Sequence, residues 1–179
     1  MTFLKNALSI FFLCLTLCSC AQKENTKNTA GDYRSEFWEN PPKPRGYVND
    51  FDTIYDERQK KELNELISQF ESETSIEIAL VTLDTLCTSK EKFDDLTLHL
   101  ANVWGVGKKG KDNGILVGIS KDYRKMRIQN GNGIEQLISD KETKKIIDDY
   151  FIPGFRKGDY FEGSREGLKR LIQLLKSKL

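Results

Sequence analysis

Histidine and cysteine are scarce in this sequence, and each shortage limits the possible chemistry. His99 is the only histidine among 179 residues, so a histidine cluster that binds zinc cannot form, and a lone imidazole without an orienting partner is more typical of a structural residue than of a catalytic one. Three of the four cysteines lie within the first twenty residues, which leaves Cys87 without a disulfide partner. Cys87 also lacks the C-x5-R loop that cradles phosphate, and we predict that it is inert. The fold must therefore depend on its hydrophobic core.

Net charge is almost absent as well. The chain has 28 basic and 27 acidic residues, so it carries no overall positive field that would attract nucleic acid or anionic lipid. The glycines at positions 105, 107 and 110 precede a predicted strand rather than a helix, and they match no nucleotide-binding loop. We therefore predict that neither nucleic acid nor a nucleotide is a partner.

A long hydrophobic run occurs at the N-terminus. Lys5 precedes an apolar stretch over residues 7–17, which has the length of a signal peptide and is too short to span a bilayer. The stretch ends in Leu17-Cys18-Ser19-Cys20, which resembles the bacterial lipoprotein signal: a hydrophobic residue, two small residues and the cysteine that receives the lipid. We predict a signal peptide over residues 1–19 and a lipid anchor on Cys20. An ordinary secretory signal and an N-terminal anchor helix are the alternatives.

A lipid on Cys20 would attach the mature chain to a membrane of a bacterial cell envelope. Ala21 follows that cysteine, in place of the aspartate that retains many lipoproteins at the inner membrane. The expected location is therefore the outer membrane, with the domain facing the periplasm. Residues 20–46 lack hydrophobic periodicity and contain Pro41-Pro42-Lys43-Pro44, which predicts a lipidated tether that is flexible at first and then stiffened by proline.

Regular hydrophobic patterns occur over residues 47–179, which we predict to be the globular domain. Residues 75–83 are nearly continuous in apolar residues towards their end, which is typical of a central strand. Residues 114–120 and 125–129 are two further strands, and the four-residue link between them is of the length that joins antiparallel strands. The predicted helices start near Asp56, Lys90, Ser139 and Asp159. Pro153-Gly154 is predicted to end the third of these helices.

This order of elements predicts an α/β fold, a three-layer α/β/α sandwich on a small mixed β-sheet. Glycine-rich loops flank the predicted hairpin, with Gly105, Gly107 and Gly110 before it and Gly131-Asn132-Gly133 after it. In an antiparallel pair, the start of the first strand lies beside the end of the second. The two loops should therefore meet at one edge of the sheet, and we expect function at that edge.

Seven separated motifs resemble those of the TPM domain. They are Val48-Asn49-Asp50, Trp104-Gly105-Val106-Gly107, Lys111-Asp112-Asn113-Gly114, Asp122-x-Arg124, Gly131-x-Gly133-Ile134-Glu135, Ile138-Ser139-Asp140, and Pro153-x-Phe155 followed by Gly158-Asp159-Tyr160. The resemblance covers residues 46–175 and implies an α/β/α sandwich. Members of that family include proteins of photosystem II repair and many exported or membrane-anchored bacterial proteins. Some are described as acid phosphatases, and some bind calcium through an acidic cluster.

Acidic and amide side chains supply the candidate metal ligands. They lie at predicted loop ends, and they are Asp50, Asp52, Asp112, Asn113, Glu135 and Asp140. Oxygen ligands on loops suit Ca²⁺ or Mg²⁺, and we expect these side chains to face one shared cleft. The alternative is a structural role, in which Asp50, Asp112 and Asp140 accept hydrogen bonds from backbone N–H groups at turns and helix starts. Both readings stay open at this stage.

These residues are compatible with two functions. In the first, the chain is a lipid-anchored binding module whose acidic cleft holds a divalent cation and which assists membrane or envelope proteins. In the second, it is a weak, metal-assisted acid phosphatase in which the cation acts as a Lewis acid and Asp112 orients the attacking water. The first is favoured because no histidine cluster or phosphate loop supplies an activated nucleophile.

Overall fold

The computed structural model describes residues 30–108 and 110–179 of the chain. The predicted signal peptide, the predicted lipidation site Cys20 and the beginning of the predicted tether lie outside the described residues. Within the described ranges, no helix combines the length and the apolar character needed to cross a membrane.

Four strands form one mixed sheet at the centre of the domain. They are β1 (Val48–Asp50), β2 (Glu77–Thr82), β3 (Gly114–Ser120) and β4 (Lys125–Asn130), and their order in the sheet is the same as their order in the chain. The first three strands are parallel, and β4 is antiparallel to β3. The register pairs Asp50 with Thr82 and Thr82 with Ile119. The predicted hairpin and the predicted central strand are both confirmed.

Helices and one π-helical segment complete the fold. They are α1 (Ala30–Glu39), α2 (Glu57–Thr74), α3 (Phe93–Trp104), α4 (Asn132–Glu135), α5 (Asp140–Ile146), the π segment (Ile147–Phe151), α6 (Ile152–Arg156) and α7 (Tyr160–Lys176). Capping boxes begin the helices predicted to start near Asp56 and Ser139, with each N-cap side chain accepting from the N3 amide and the N3 side chain accepting in return. Asp159 accepts from the Glu162 amide at the start of α7.

The strands alternate their side chains between two cores, as period-two geometry requires. On one face, Ile78 and Leu80 of β2 pack with residues of α2 and α7 such as Phe70 and Leu171. On the other face, Val81 of β2 packs with residues of α3 and α1. The domain is therefore an α/β fold with helices on both sides of the sheet, as predicted.

Three elements differ from the prediction. Pro153 does not end the third helix, because the chain continues through the π segment into α6. The amide of Ile152 bonds to the carbonyl of Ile147, five residues back, and this wider turn accommodates a proline that lacks an N–H and would clash with an ordinary α-helical turn. The second difference is β1, a parallel strand that is not among the three strands predicted above.

The third difference lies in the segment expected to be a tether. Residues 30–39 form α1, and Phe37 is buried in the core beside Phe51, with an edge-on ring distance of 5.3 Å. The guanidinium of Arg34 donates two hydrogen bonds, of 2.7 and 3.0 Å, to the carbonyl of Thr85. Burial of the Phe37 ring stabilises the packing of α1 on the domain. The sequence of α1 has little hydrophobic periodicity, so the pattern does not predict this helix.

Candidate functional site

The parallel strands give the sheet two chemically different edges. We call the edge where β1, β2 and β3 end, at Asp50, Thr82 and Ser120, the carboxyl edge. The opposite edge, where β2 and β3 begin at Glu77 and Gly114, is the amino edge. In open α/β sheets, ligands bind most often beyond the carboxyl ends of the strands.

The two glycine-rich loops do meet, and they meet at the amino edge. The amide of Gly131 donates to the carbonyl of Gly114 at 2.8 Å, and the amide of Gly133 donates to the carbonyl of Asp112 at 3.0 Å. A Cβ atom on Gly133 would lie only 2.3 Å from the carbonyl oxygen of Lys111. The glycines are needed there because backbone packs directly against backbone.

The six candidate metal ligands do not share a cleft. Asp50 and Asp52 follow β1 at the carboxyl edge, whereas Asp112 and Asn113 precede β3 at the amino edge. Glu135 and Asp140 lie in and after α4, near the amino edge, and both are exposed. The expectation of one shared acidic cleft is therefore wrong, because a residue that follows one parallel strand and a residue that precedes the next are separated by the length of the sheet.

Asp50 has the capping role that was the alternative to metal binding. Its carboxylate accepts hydrogen bonds from the amides of Ile54 and Tyr55, at 3.1 and 3.0 Å, and from the hydroxyl of Thr82 at 2.5 Å. Both oxygens of the carboxylate are thus occupied by the loop that connects β1 to α2. That loop includes Thr53, which has a left-handed φ of 52° and depends on such local support.

The ligands at the amino edge are also engaged or dispersed. The side chain of Asn113 accepts from the Lys108 amide at 2.8 Å and donates to the Ser75 carbonyl at 2.7 Å. Asp140 lies in the first turn of α5, where a carboxylate complements the helix dipole. Among the described residues, no three His, Cys, Asp or Glu side chains are placed to hold one ion. Cation binding by Asp112 or by any of the others stays a prediction.

The carboxyl edge instead has a cleft that the sequence reasoning did not identify. It has a volume of about 640 Å³. Its walls come from the β3–β4 turn on one side and from α6 and the start of α7 on the other. The lining residues are Ser120, Lys121, Arg124, Lys125, Ile152, Phe155, Arg156, Gly158 and Tyr160. We call this the basic cleft.

Three cationic side chains around the basic cleft are not held in salt bridges among the described residues, although the charges of Asp52 and Asp122 also act on this region. Lys121, Arg124 and Arg156 form no salt bridge with any described residue. Lys125 differs, because its ammonium lies 3.1 Å from a carboxylate oxygen of Asp94. The cations outside these salt bridges are those of the hairpin turn and of α6, and an anionic group in the cleft would complement them.

Aromatic and acidic groups complete the cleft. The rings of Phe155 and Tyr160 are stacked at 4.8 Å, and burial raises the pKa of Tyr160, which keeps its phenol protonated and able to donate. Burial also raises the pKa of Asp52, although the hydrogen bond from the Lys121 amide, at 3.2 Å, opposes that change. The Lys121–Asp52 bond joins the acidic turn after β1 to the basic cleft.

The other reactive side chains, Cys87 and His99, do not line this cleft, and each has a structural environment of its own. Cys87 is buried, and burial is the main cause of a pKa raised well above that of an ordinary thiol. His99 stacks on Trp38 at 4.3 Å, and its Nε2 atom lies 2.8 Å from the Trp38 carbonyl oxygen. The structural role expected of His99 and the inertness expected of Cys87 both agree with these contacts.

A local signal for the basic cleft was present in part. The turn sequence Lys121-Asp122-Tyr123-Arg124 is rich in charge, but the opposite charges of Asp122 and Arg124 are equally typical of a pair within a hairpin turn. Residues 152–160 reach the same place only through the packing of α6 and α7, 30 residues further along the chain. No sequence spacing links the two segments, so the cleft follows from tertiary structure.

Comparison with known proteins gives one family and several similar structures. The family model of the TPM domain matches residues 48–174. The solution structure of the N-terminal domain of a P. gingivalis protein has 30% sequence identity and a TM-score of 0.67, covering 84% of this chain and 93% of that one. No curated protein sequence matches the chain.

Two more distant structures share the fold. The BA42 protein of the psychrophilic bacterium Bizionia argentinensis has 19% identity and a TM-score of 0.62, and the alignment covers 72% of this chain and 86% of BA42. The N-terminal domain of the cg2496 protein of Corynebacterium glutamicum has 15% identity and a TM-score of 0.55, covering 79% and 85% of the two chains. At these identities the likeness concerns the fold alone.

Proposed function

This chain belongs to the TPM domain family, and from that premise we propose that it is a binding module whose basic cleft recognises an anionic group on a partner protein of the cell envelope. The observation that carries the proposal is the set of three cations, on Lys121, Arg124 and Arg156, that line one concave surface and form no salt bridge with a described residue. Charged side chains in a cleft attract an oppositely charged ligand more strongly than the same charges on an open surface.

The chemistry of the cleft suits a phosphate or carboxylate group. Arg124 and Arg156 carry planar guanidinium groups, which can bind such oxyanions through two parallel hydrogen bonds. The protonated phenol of Tyr160 supplies a further donor, and the stacked rings of Phe155 and Tyr160 supply an apolar wall for the group that carries the anion. The cleft thus combines orientation by charge with burial of an apolar stem.

Binding is favoured over catalysis because the cleft has no activated nucleophile among its lining residues. Ser120 is buried in β3, and no histidine lines the cleft. An effective nucleophile needs a neighbouring base or a lowered pKa, whereas the pKa of Tyr160 is raised. These features support recognition of an oxyanion without turnover.

A titration of the full chain with phenyl phosphate tests this proposal, because the probe joins an oxyanion to an aromatic ring. We expect Arg124→Ala and Arg156→Ala each to weaken binding by about tenfold, the value of one charge-assisted contact. The control is Lys111→Ala, which removes an exposed cation near the amino edge. Equal affinity in all three variants, or no binding by the unmodified chain, would reject the basic cleft as the binding site.

The second candidate is a metal-assisted phosphatase at the same cleft. It is favoured by one observation: the carboxylate of Asp52 accepts from the Lys121 amide, so an acidic group lies at the turn that lines the cleft. Asp112 lies at the other edge of the sheet and is not proposed again as the residue that orients water. Phosphate release from phenyl phosphate in the presence of Mg²⁺ or Ca²⁺, abolished by Asp52→Asn, would establish this activity. Absence of release with either ion would exclude the activity, and release that persists in Asp52→Asn would exclude a role for Asp52 in it.

Membrane attachment through a lipid on Cys20 is proposed on the sequence pattern alone. It would place the domain at the outer membrane, facing the periplasm, within reach of envelope membrane proteins. Mass spectrometry of the N-terminal peptide from the native host tests it. We expect an acylated Cys20 at the mature N-terminus, and an unmodified peptide that still contains residues before Cys20 would contradict the anchor.

A further inference from the structure

The outer side of β4 is an open sheet edge. β4 pairs with β3 on one side only. It is six residues long, from Lys125 to Asn130, which is enough to form a ladder with another strand. Open edges of this kind present unpaired N–H and C=O groups to any extended chain.

The register shows which backbone groups face outward. Gly131 donates to the carbonyl of Gly114, and in an antiparallel pair the hydrogen-bonded positions alternate. Residues 125, 127 and 129 therefore bond to β3, which leaves the backbone groups of Met126, Ile128 and Asn130 directed away from it. Outside the pairing with β3, these three residues have no backbone hydrogen bond to the part of the chain that the structure describes.

The outer strand on the other side of the sheet, β1, is shorter and partly satisfied. It has only three residues. The side-chain oxygen of Asn64, on α2, accepts from the amides of Tyr47 and Val48 at 3.0 and 3.2 Å. β1 therefore offers less free backbone to an added strand than β4 does.

Charge decides which chain could occupy the open edge. Arg127, in the middle of β4, is exposed and forms no salt bridge with a described residue. β4 begins at Lys125, beside the cations of the basic cleft on Lys121 and Arg124. A second copy of this chain paired edge to edge in the antiparallel sense would place the Arg127 of one copy close to the Arg127 of the other, which is unfavourable, and would leave the other cations without neutralisation. An acidic strand would neutralise them.

We propose that the partner presents an extended, acidic segment that adds to β4 as a fifth strand, with the end nearest Lys125 placing an anionic group in the basic cleft. Addition of a strand to a sheet edge provides affinity through main-chain hydrogen bonds and selectivity through alternate side chains. This inference rests on the proposed function for the cleft. The partner segment is an extended peptide, and β4 is the surface that binds it.

The test uses the full chain and a fluorescent eight-residue peptide that alternates valine with glutamate. Hydrogen exchange measured by NMR is the main readout. On addition of the peptide, we expect new protection of the amides of Met126, Ile128 and Asn130, because the bound strand would accept from them. A peptide of the same sequence with every amide nitrogen methylated keeps the charge but cannot complete the ladder. It should bind at least about tenfold more weakly, since several hydrogen bonds are lost.

Two charge reversals separate the edge from the cleft. Arg127→Glu should weaken peptide binding by about tenfold and leave phenyl phosphate binding unchanged, because Arg127 does not line the cleft. Lys61→Glu, on the exposed side of α2, is the matched control and should leave both affinities unchanged.

Several results would overturn the inference. They are equal affinity for the methylated and unmethylated peptides, peptide binding without new protection of the three amides, and a dimer of the peptide-free chain that already protects them. Absence of peptide binding, with phenyl phosphate still bound, would also reject the β4 inference while leaving the proposed function of the cleft intact. Absence of both would reject the two together.

Discussion

At the scale of single residues, the thiol of Cys87 links stability to pH. Its pKa is raised in the folded protein, first by burial and then by the hydrogen bond and charge of Asp84. In the unfolded chain a thiol ionises near its ordinary pKa, roughly 8.5. The folded state therefore retains a proton that the unfolded state loses, and its stability must fall as the pH rises above that value.

This argument gives a quantitative prediction for Cys87→Ala. As the pH rises from the unfolded thiol pKa to pH 10, the unfolding free energy of the unmodified chain should fall more steeply than that of the variant, by a difference that approaches roughly 1.4 kcal/mol per pH unit. Urea denaturation of both full chains over a pH series measures the two slopes. Parallel slopes would mean that Cys87 ionises with its ordinary pKa in the folded protein.

Gly133 determines the approach of the two loops at the amino edge. A Cβ atom at this position would lie 2.3 Å from one backbone carbonyl oxygen and 3.1 Å from the next, and neither atom is at the end of a flexible side chain. We expect Gly133→Ala to reduce the unfolding free energy by about 1–3 kcal/mol, the usual cost of overpacking. Asn132→Ala, at the exposed neighbouring position, is the control and should change it little. An unchanged denaturation midpoint for Gly133→Ala would contradict the close packing of the loops.

At the scale of elements, helix starts and the hairpin could be predicted, whereas the N-terminal helix and the π segment could not. Capping boxes at Asp56 and Ser139 are local patterns, and the hairpin follows from two β-prone runs joined by a short link. α1 is polar over most of its length and depends on one buried ring, Phe37. The π segment arises because the helix must accommodate Pro153, which has no N–H group to donate. Helix propensities of single residues do not predict such a local change of hydrogen bonding.

α1 should be able to separate from the domain while the rest stays folded. It is held by Phe37, by the Arg34 hydrogen bonds and by the stacking of Trp38 on His99. The indole of Trp104 also holds the segment that follows α1, because it donates to the Pro42 carbonyl at 3.0 Å. We expect Phe37→Ala to release α1, so that amides of residues 34–39 exchange quickly, while those of β2 keep their protection. Ser35→Ala, at an exposed position of the same helix, should leave α1 docked.

The opposite result for Phe37→Ala is also specific. Loss of about 3–5 kcal/mol of global stability, typical of a buried phenylalanine in a cooperative core, together with uniform exchange, would show that α1 unfolds only with the whole domain.

At the scale of the whole molecule, the sequence held the signal that separates Asp50 from Asp112, but it could be read only after β1 was recognised as a strand. Asp50 follows β1, and Asp112 precedes β3. In parallel strands, the end of one and the start of another lie at opposite edges of the sheet. If Asp50 and Asp112 are treated simply as loop residues, the direction of the strands is not used, and both carboxylates are then expected in one cleft. The basic cleft had no comparable signal, because its walls meet only through the packing of α6 and α7.

The separation of the two edges can be measured as an absence of energetic coupling. Asp50→Ala and Gly133→Ala act at the carboxyl and amino edges and share no partner, so their effects on the unfolding free energy should add to within about 0.5 kcal/mol. Asp50→Ala and Thr82→Val form the matched pair in direct contact, through the 2.5 Å hydrogen bond. A hydrogen bond to a charged group is worth about 1.5–3 kcal/mol, so this pair should be strongly coupled.

Repeating the Asp50→Ala and Gly133→Ala cycle with millimolar Ca²⁺ extends the test to the cation. If one ion bound to both edges, adding it would couple Asp50→Ala and Gly133→Ala by more than about 0.5 kcal/mol. If the edges are separate, the effects of these two substitutions should stay additive with and without the ion.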